Sequence, residues 1–169
     1  MVKHSQLFID SLLHPKKLAG YRLLSIGKTI QYVFLLVALV TLFSFIQFLT
    51  GVSEVSYNIE GLTEYIEDIQ WLLYPFALLL LILTTTILLF VRISIYALVG
   101  VVILKVTNKR GEYRHMWRTA TFAVTWSTLL SIVFTTLQFT GAIPTLIGIV
   151  ITVFLLIIAA TKYPKIPKK

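Results

Sequence analysis

An all-α integral membrane protein, with four transmembrane helices and both termini cytoplasmic, is the fold class this sequence predicts. Three observations carry it. Of 169 residues, 57% are hydrophobic and 13% charged, against about 25% charged in a soluble domain, and the mean hydropathy is +0.89. The apolar residues gather into runs on the order of the 20 residues that a helix needs to cross a bilayer. The charges segregate as well: the N-terminal segment, the stretch Thr107–Arg118 and the tail are basic, whereas Gly51–Gln70 carries Glu54, Glu60, Glu64, Glu67 and Asp68 and no Lys or Arg. Four spans with both ends inside put every basic segment in the cytoplasm, as the positive-inside rule requires.

Each element follows in order. Ser5 to His14 reads as an amphipathic helix, with Phe8, Ile9, Leu12 and Leu13 on one arc and Asp10, Ser11 and His14 opposite; Pro15 ends it. Lys16, Lys17, Arg22 and Lys28 follow, so the segment is expected to lie in the membrane interface; the plainer alternative is a helix packed on the bundle. Neither this segment nor the first span reads as a cleavable signal peptide. Ile30–Leu49 is the first span. In the acidic loop, Leu62, Tyr65, Ile66 and Ile69 recur at helical spacing while Glu64, Glu67 and Asp68 face away, which suggests a second surface-lying helix. Its acidic patch could take a cation or a basic partner, or simply be solvated.

Trp71–Val106 is apolar apart from Arg92 and Lys105. One span over residues 71–91, continued by an interfacial or kinked helix over 92–106, is expected. Arg92, about 32 Å along the helix from Trp71, then falls at the cytoplasmic headgroups, where arginine snorkels; the bolder reading is a buried functional cation. The next loop holds Lys109, Arg110, Arg114 and Arg118, with Trp117 as an aromatic-belt residue. Thr119–Phe139 is the third span, with Thr121, Thr125, Thr128 and Thr135 on one stripe beside Ser131. Such hydroxyls serve helix packing or a polar conduit. After a turn containing Gly141 and Pro144, a fourth span covers about 143–161, and Lys162–Lys169 is an extended tail.

The chain contains no HExxH, GxSxG or P-loop pattern. It has no Cys, and His4, His14 and His115 lack metal-ligand spacing. A non-enzymatic protein without cofactor or metal is expected. The basic residues (Lys16, Lys17, Arg22, Lys28, Arg92, Arg114 and Arg118, with Trp117) are candidate contacts to anionic lipid headgroups, to a membrane-protein partner or to another copy, not to nucleic acid.

The stretch FIDSLLHPKKLAGYRLLSIGKTIQYVF from Phe8 resembles the start of a family of bacterial membrane proteins of unknown function from Bacillus-like Gram-positives. The resemblance is carried by Ser11, Pro15, Lys16 and Arg22, by the pair Gly27–Lys28, and by Tyr32 to Phe34. Tyr113, Arg114, Trp117 and Arg118 match the family's Tyr-Arg-x-x-Trp-Arg stretch, and the lysine-proline tail is similar. Some members are labelled maltodextrin utilization protein MalA. The resemblance implies a helical membrane fold of Yip type, the plasma membrane of a Gram-positive bacterium and no catalytic residues. Family members carry a larger outer segment where this chain has only Gly51–Gln70. The function expected first is an accessory or scaffold protein of a membrane complex. A small-solute or lipid transporter or channel subunit, with Arg92 and the Thr121–Thr135 stripe along its path, comes second. A membrane immunity or stress protein is a third.

Overall fold

The computed structural model describes residues 4–58, 62–139 and 141–165. Among these the chain forms α1 (His4–Leu13), a 3-10 segment (Pro15–Leu23), α2 (Ile26–Asn58), α3 (Leu62–Val106), α4 (Tyr113–Thr136) and α5 (Ala142–Thr161). Helices α2 to α5 are each long and apolar enough to cross a membrane.

The helices begin and end where local chemistry requires. The Glu112 side chain caps α4 by accepting from the backbone N–H of His115, the third residue of the helix, and His115 Nδ1 accepts the Glu112 N–H at 3.4 Å, satisfying two donors that a helix start leaves open. Asn108 takes a positive φ of 52° after α3, a conformation asparagine tolerates, and the following Lys109 N–H returns to the Leu104 carbonyl at 2.9 Å. Gly141 stands at φ 122° immediately before α5, a backbone geometry that a Cβ would strain.

Helix α4 is the centre of the bundle. It packs against α1, α2, α3, α5 and the 3-10 segment, and Met116 and every residue from Thr119 to Thr125 are buried. Gly100 lets α3 come close here: a Cβ on it would run into the fully buried Met116 side chain. Polar cross-links join α4 to its neighbours from its first turns to its middle. The Tyr32 hydroxyl pairs with Thr125 at 2.7 Å and donates to Ser11 at 3.3 Å. Thr119 pairs with the Tyr163 hydroxyl at 2.7 Å, and the Trp126 indole N–H donates to the Leu12 carbonyl at 2.9 Å.

Three local expectations are corrected. Helix α1 does not lie apart on a surface: Leu7, Asp10 and Ser11 are buried against α4, with Ile9 and Leu13 left exposed. The polar arc supplies the buried contacts because each of its groups finds a hydrogen bond, which removes the cost of burying it. The second surface helix is absent as a separate element. Residues through Asn58 extend α2, and Leu62 already begins α3, so Glu64, Glu67 and Asp68 stand exposed on the first turns of a transmembrane-length helix. Glu60 lies outside the described residues. Residues 92–106 do not form a separate element. Helix α3 is continuous over 45 residues, about 67 Å, and Ile93, Tyr96, Ala97 and Leu104 are in the core.

Candidate functional site

A cleft of about 750 Å³ separates α3 from the α4–α5 pair. Its walls are mostly aliphatic and aromatic: Leu88, Val91, Ile95 and Val99 on α3, Phe134 on α4, and Ile149 and Val153 on α5. Leu88, Val91, Ile95 and Ile149 are exposed on the outer surface of the bundle, so the cleft opens sideways between the helices. Its polar lining is sparse: Arg92, Tyr96, Ser127, Ser131, Thr135 and Thr145. A smaller hollow of about 440 Å³ on α3 alone is lined by Pro75, Leu78, Leu79, Ile82, Leu83 and Thr86. The Thr86 hydroxyl is already bonded to the Ile82 carbonyl at 2.7 Å, leaving that surface without chemistry.

Arg92 lies at the inner part of the cleft. A Cβ built on Gly148 would stand 3.5 Å from its Nη2 and 3.2 Å from Ser127 Cβ. Ser127 is near the middle of α4, and Gly148 about a third of the way along α5. The guanidinium is therefore level with the central part of both helices, not with their basic ends. Relative to α4 and α5, Arg92 thus stands nearer the middle of the bundle than counting from Trp71 suggests. That count starts a span at Trp71, but α4 and α5 have 24 and 20 residues and pack on the C-terminal half of α3. Register against neighbours, not distance from the first apolar residue, sets the level. The Arg92 guanidinium also lies 5.9 Å from the centre of the Tyr96 ring, one helical turn on, a cation–π contact that fixes its direction.

The hydroxyl stripe divides. Ser131 and Thr135 face the cleft. Thr121 and Thr125 are buried in packing, bonded to the Trp117 carbonyl at 3.0 Å and to Tyr32, and the Thr128 hydroxyl is buried without a partner among the described residues. No polar row of threonines runs the length of α4 facing one cavity.

A second polar cluster, missed from the sequence, holds the N-terminal segment together. The Asp10 carboxylate is buried. It accepts from the Tyr21 hydroxyl at 2.6 Å and from Lys17 at 2.9 Å, with His14 Nδ1 at 3.0 Å. The Tyr21 and Lys17 hydrogen bonds hold the Asp10 carboxyl below its ordinary value of 3.8. Burial, and the carboxylate beside it, push the Tyr21 phenol well up. The available signal was a lone acid on the polar arc of α1 with a lysine and a tyrosine downstream.

The remaining basic residues disperse. Lys17 serves Asp10. Arg22 lies over the Tyr163 ring at 4.8 Å while its carbonyl accepts from Arg118 Nη1 at 2.9 Å. Arg114 pairs with Glu112 at 2.6 Å, the Trp117 ring lies 6.1 Å from Phe90, Lys16 is exposed and Lys28 half-buried. Among the described residues no group of His, Cys, Asp and Glu is arranged to hold a metal ion.

Fold and cleft together define, among the described residues, a helical bundle with four membrane-length helices and a sparsely polar lateral cleft. The chain belongs to the family described as protein of unknown function (DUF1189), which it matches over residues 5–68 and 52–160. The two matched stretches overlap over residues 52–68, from the last turns of α2 into the acidic first turns of α3. No curated protein and no solved structure matches the chain.

Proposed function

We propose that this protein is a non-enzymatic, multi-pass protein of the plasma membrane of a Gram-positive bacterium, both termini cytoplasmic, that binds a lipid-like amphiphile in the cleft between α3 and the α4–α5 pair. It handles that ligand as an accessory component of a membrane complex. The segregated charges support the orientation, and the family resemblance supports the location. The carrying observation is the cleft itself: a volume within the range of small-molecule sites, aliphatic walls, a sideways opening toward lipid, and a few hydroxyls spaced along its length. A purely scaffolding role has no need of such a hollow. A channel needs a continuous polar path, and the buried Thr121, Thr125 and Thr128 do not form one with the cleft. An oligosaccharide requires many more hydrogen-bonding groups than these walls carry, so the maltodextrin label of some relatives gains no support.

Filling the cleft tests the reading. Ser131 lines the cleft and is exposed, so Ser131→Trp is expected to fold while occluding the space. Native mass spectrometry of the full chain, purified gently from membranes, is expected to retain an amphiphile on the unaltered protein and at least tenfold less on Ser131→Trp. Equal retention by both proteins would remove the cleft as the site.

A further inference from the structure

The cleft's ligand is an amphiphile with an oxyanion headgroup, we infer, and Arg92 is the residue that receives it. This rests on the amphiphile reading above and adds the chemistry of the headgroup. Arg92 makes no ion pair among the described residues. The chain has seven acidic residues: Asp10, Glu54, Glu60, Glu64, Glu67, Asp68 and Glu112. Asp10 is held by Lys17, Tyr21 and His14, and Glu112 by Arg114 at the start of α4. The nearest acid to Arg92 along α3 is Asp68, about 36 Å away on the helix axis. No acid lies in the sequence between Asp68 and Glu112 or beyond Glu112. A guanidinium at the centre of a membrane bundle is costly and ordinarily faces a partner or a polar cavity; here the bound ligand supplies the missing charge.

The surroundings suit an oxyanion. Guanidinium presents a planar fork of donors that matches carboxylate and phosphate. Gly148 leaves room beside Nη2 that a side chain would occupy. The Tyr96 ring steadies the guanidinium from one side. The Ser131 hydroxyl makes no hydrogen bond to the described residues and faces the same cleft, leaving a second donor for a headgroup oxygen. The aliphatic walls and sideways opening then accommodate an acyl chain. Phosphate of a phospholipid and carboxylate of a fatty acid share this chemistry; a free inorganic anion would use Arg92 without the walls.

The test uses the delipidated full chain in detergent, titrated with phosphatidylglycerol, with oleate and with a neutral diacylglycerol of matched chains. Binding is read by native mass spectrometry or tryptophan fluorescence. At least one anionic probe is expected to bind tenfold or more tighter than the neutral one, with that preference lost in Arg92→Gln and partly restored in Arg92→Lys. Whichever anionic probe shows the preference identifies the headgroup. Equal binding of neutral and anionic probes, all displaced by Ser131→Trp, would overturn the oxyanion inference and leave the amphiphile site standing. No probe displaced by Ser131→Trp would overturn both. Displacement of either lipid by millimolar inorganic phosphate, with phosphate alone binding as tightly to Arg92, would assign the site to a soluble anion and overturn the lipid assignment. Circular dichroism on each variant separates loss of binding from loss of fold.

Discussion

Asp10 and Arg92 are each single charges set among apolar helices, and the bundle treats them in opposite ways. The Asp10 carboxylate is surrounded by donors: Tyr21, Lys17 and, within 3.0 Å, His14. It ties α1 to the 3-10 segment, a closed network with its charge answered from within. Arg92 has one aromatic ring beside it and an open cleft before it. An internally satisfied charge serves the fold. A charge left open in an otherwise apolar setting costs stability and is retained where something else completes it.

That contrast can be broken or sharpened by substitution. The largest expected effect is on Arg92 itself. Replacement by leucine removes a cation whose insertion at a helix centre costs about 2.5–3.5 kcal/mol, so Arg92→Leu is expected to raise the thermal stability of the ligand-free protein by up to about 3 kcal/mol while abolishing anionic binding. A clear fall in stability would mean that Arg92 serves the fold, as Asp10 does.

Asp10→Asn is expected to act in the other direction. It weakens charge-assisted hydrogen bonds of about 1.5–3 kcal/mol each, partly screened at the exposed Lys17, for a net loss of about 2 kcal/mol. The same group gives a pH dependence of known sign. Because the native value is lowered, the stabilisation is complete above the ordinary aspartate value of 3.8 and is lost as pH falls below that through the native value. Thermal unfolding followed from pH 6 to 3 is expected to show this component in the unaltered protein and not in Asp10→Asn.

Tyr32→Phe is the smallest change. It removes the hydroxyl shared by Thr125 and Ser11 and is expected to cost about 1 kcal/mol, with no effect on the cleft.

The sequence made the long elements legible because apolar runs and segregated charge are properties of composition. It revealed four membrane-length helices, and Arg92 and Ser131 as polar residues within them. It did not reveal which hydroxyls share a cavity with Arg92, because Ser131 and Thr135 differ from Thr121 and Thr125 only in which neighbours cover α4. The length of α3 misled for a related reason. A 36-residue apolar run suggests a span and a remainder, whereas α3 is one helix whose C-terminal half carries α4 and α5 and whose acidic first turns continue past them. The packing of α1 was obscured because its polar arc is the buried one: Asp10 and Ser11 read as solvent-facing until Tyr21, Lys17 and Tyr32 are brought beside them by the 3-10 segment and α2.

We propose that Arg92 sits at bilayer mid-depth beside a lipid-facing cleft. Spin-label depth measurement tests it most directly, since the chain contains no native cysteine. Labels are placed at Ile95→Cys, on the cleft wall one turn from Arg92, and at Lys105→Cys, near the basic end of α3, in reconstituted bilayers. The Ile95 label is expected to collide with dissolved oxygen and to be shielded from a polar nickel chelate, with the reverse at Lys105. A label at Ile95 as open to the chelate as the one at Lys105 would put Arg92 in water and contradict the account.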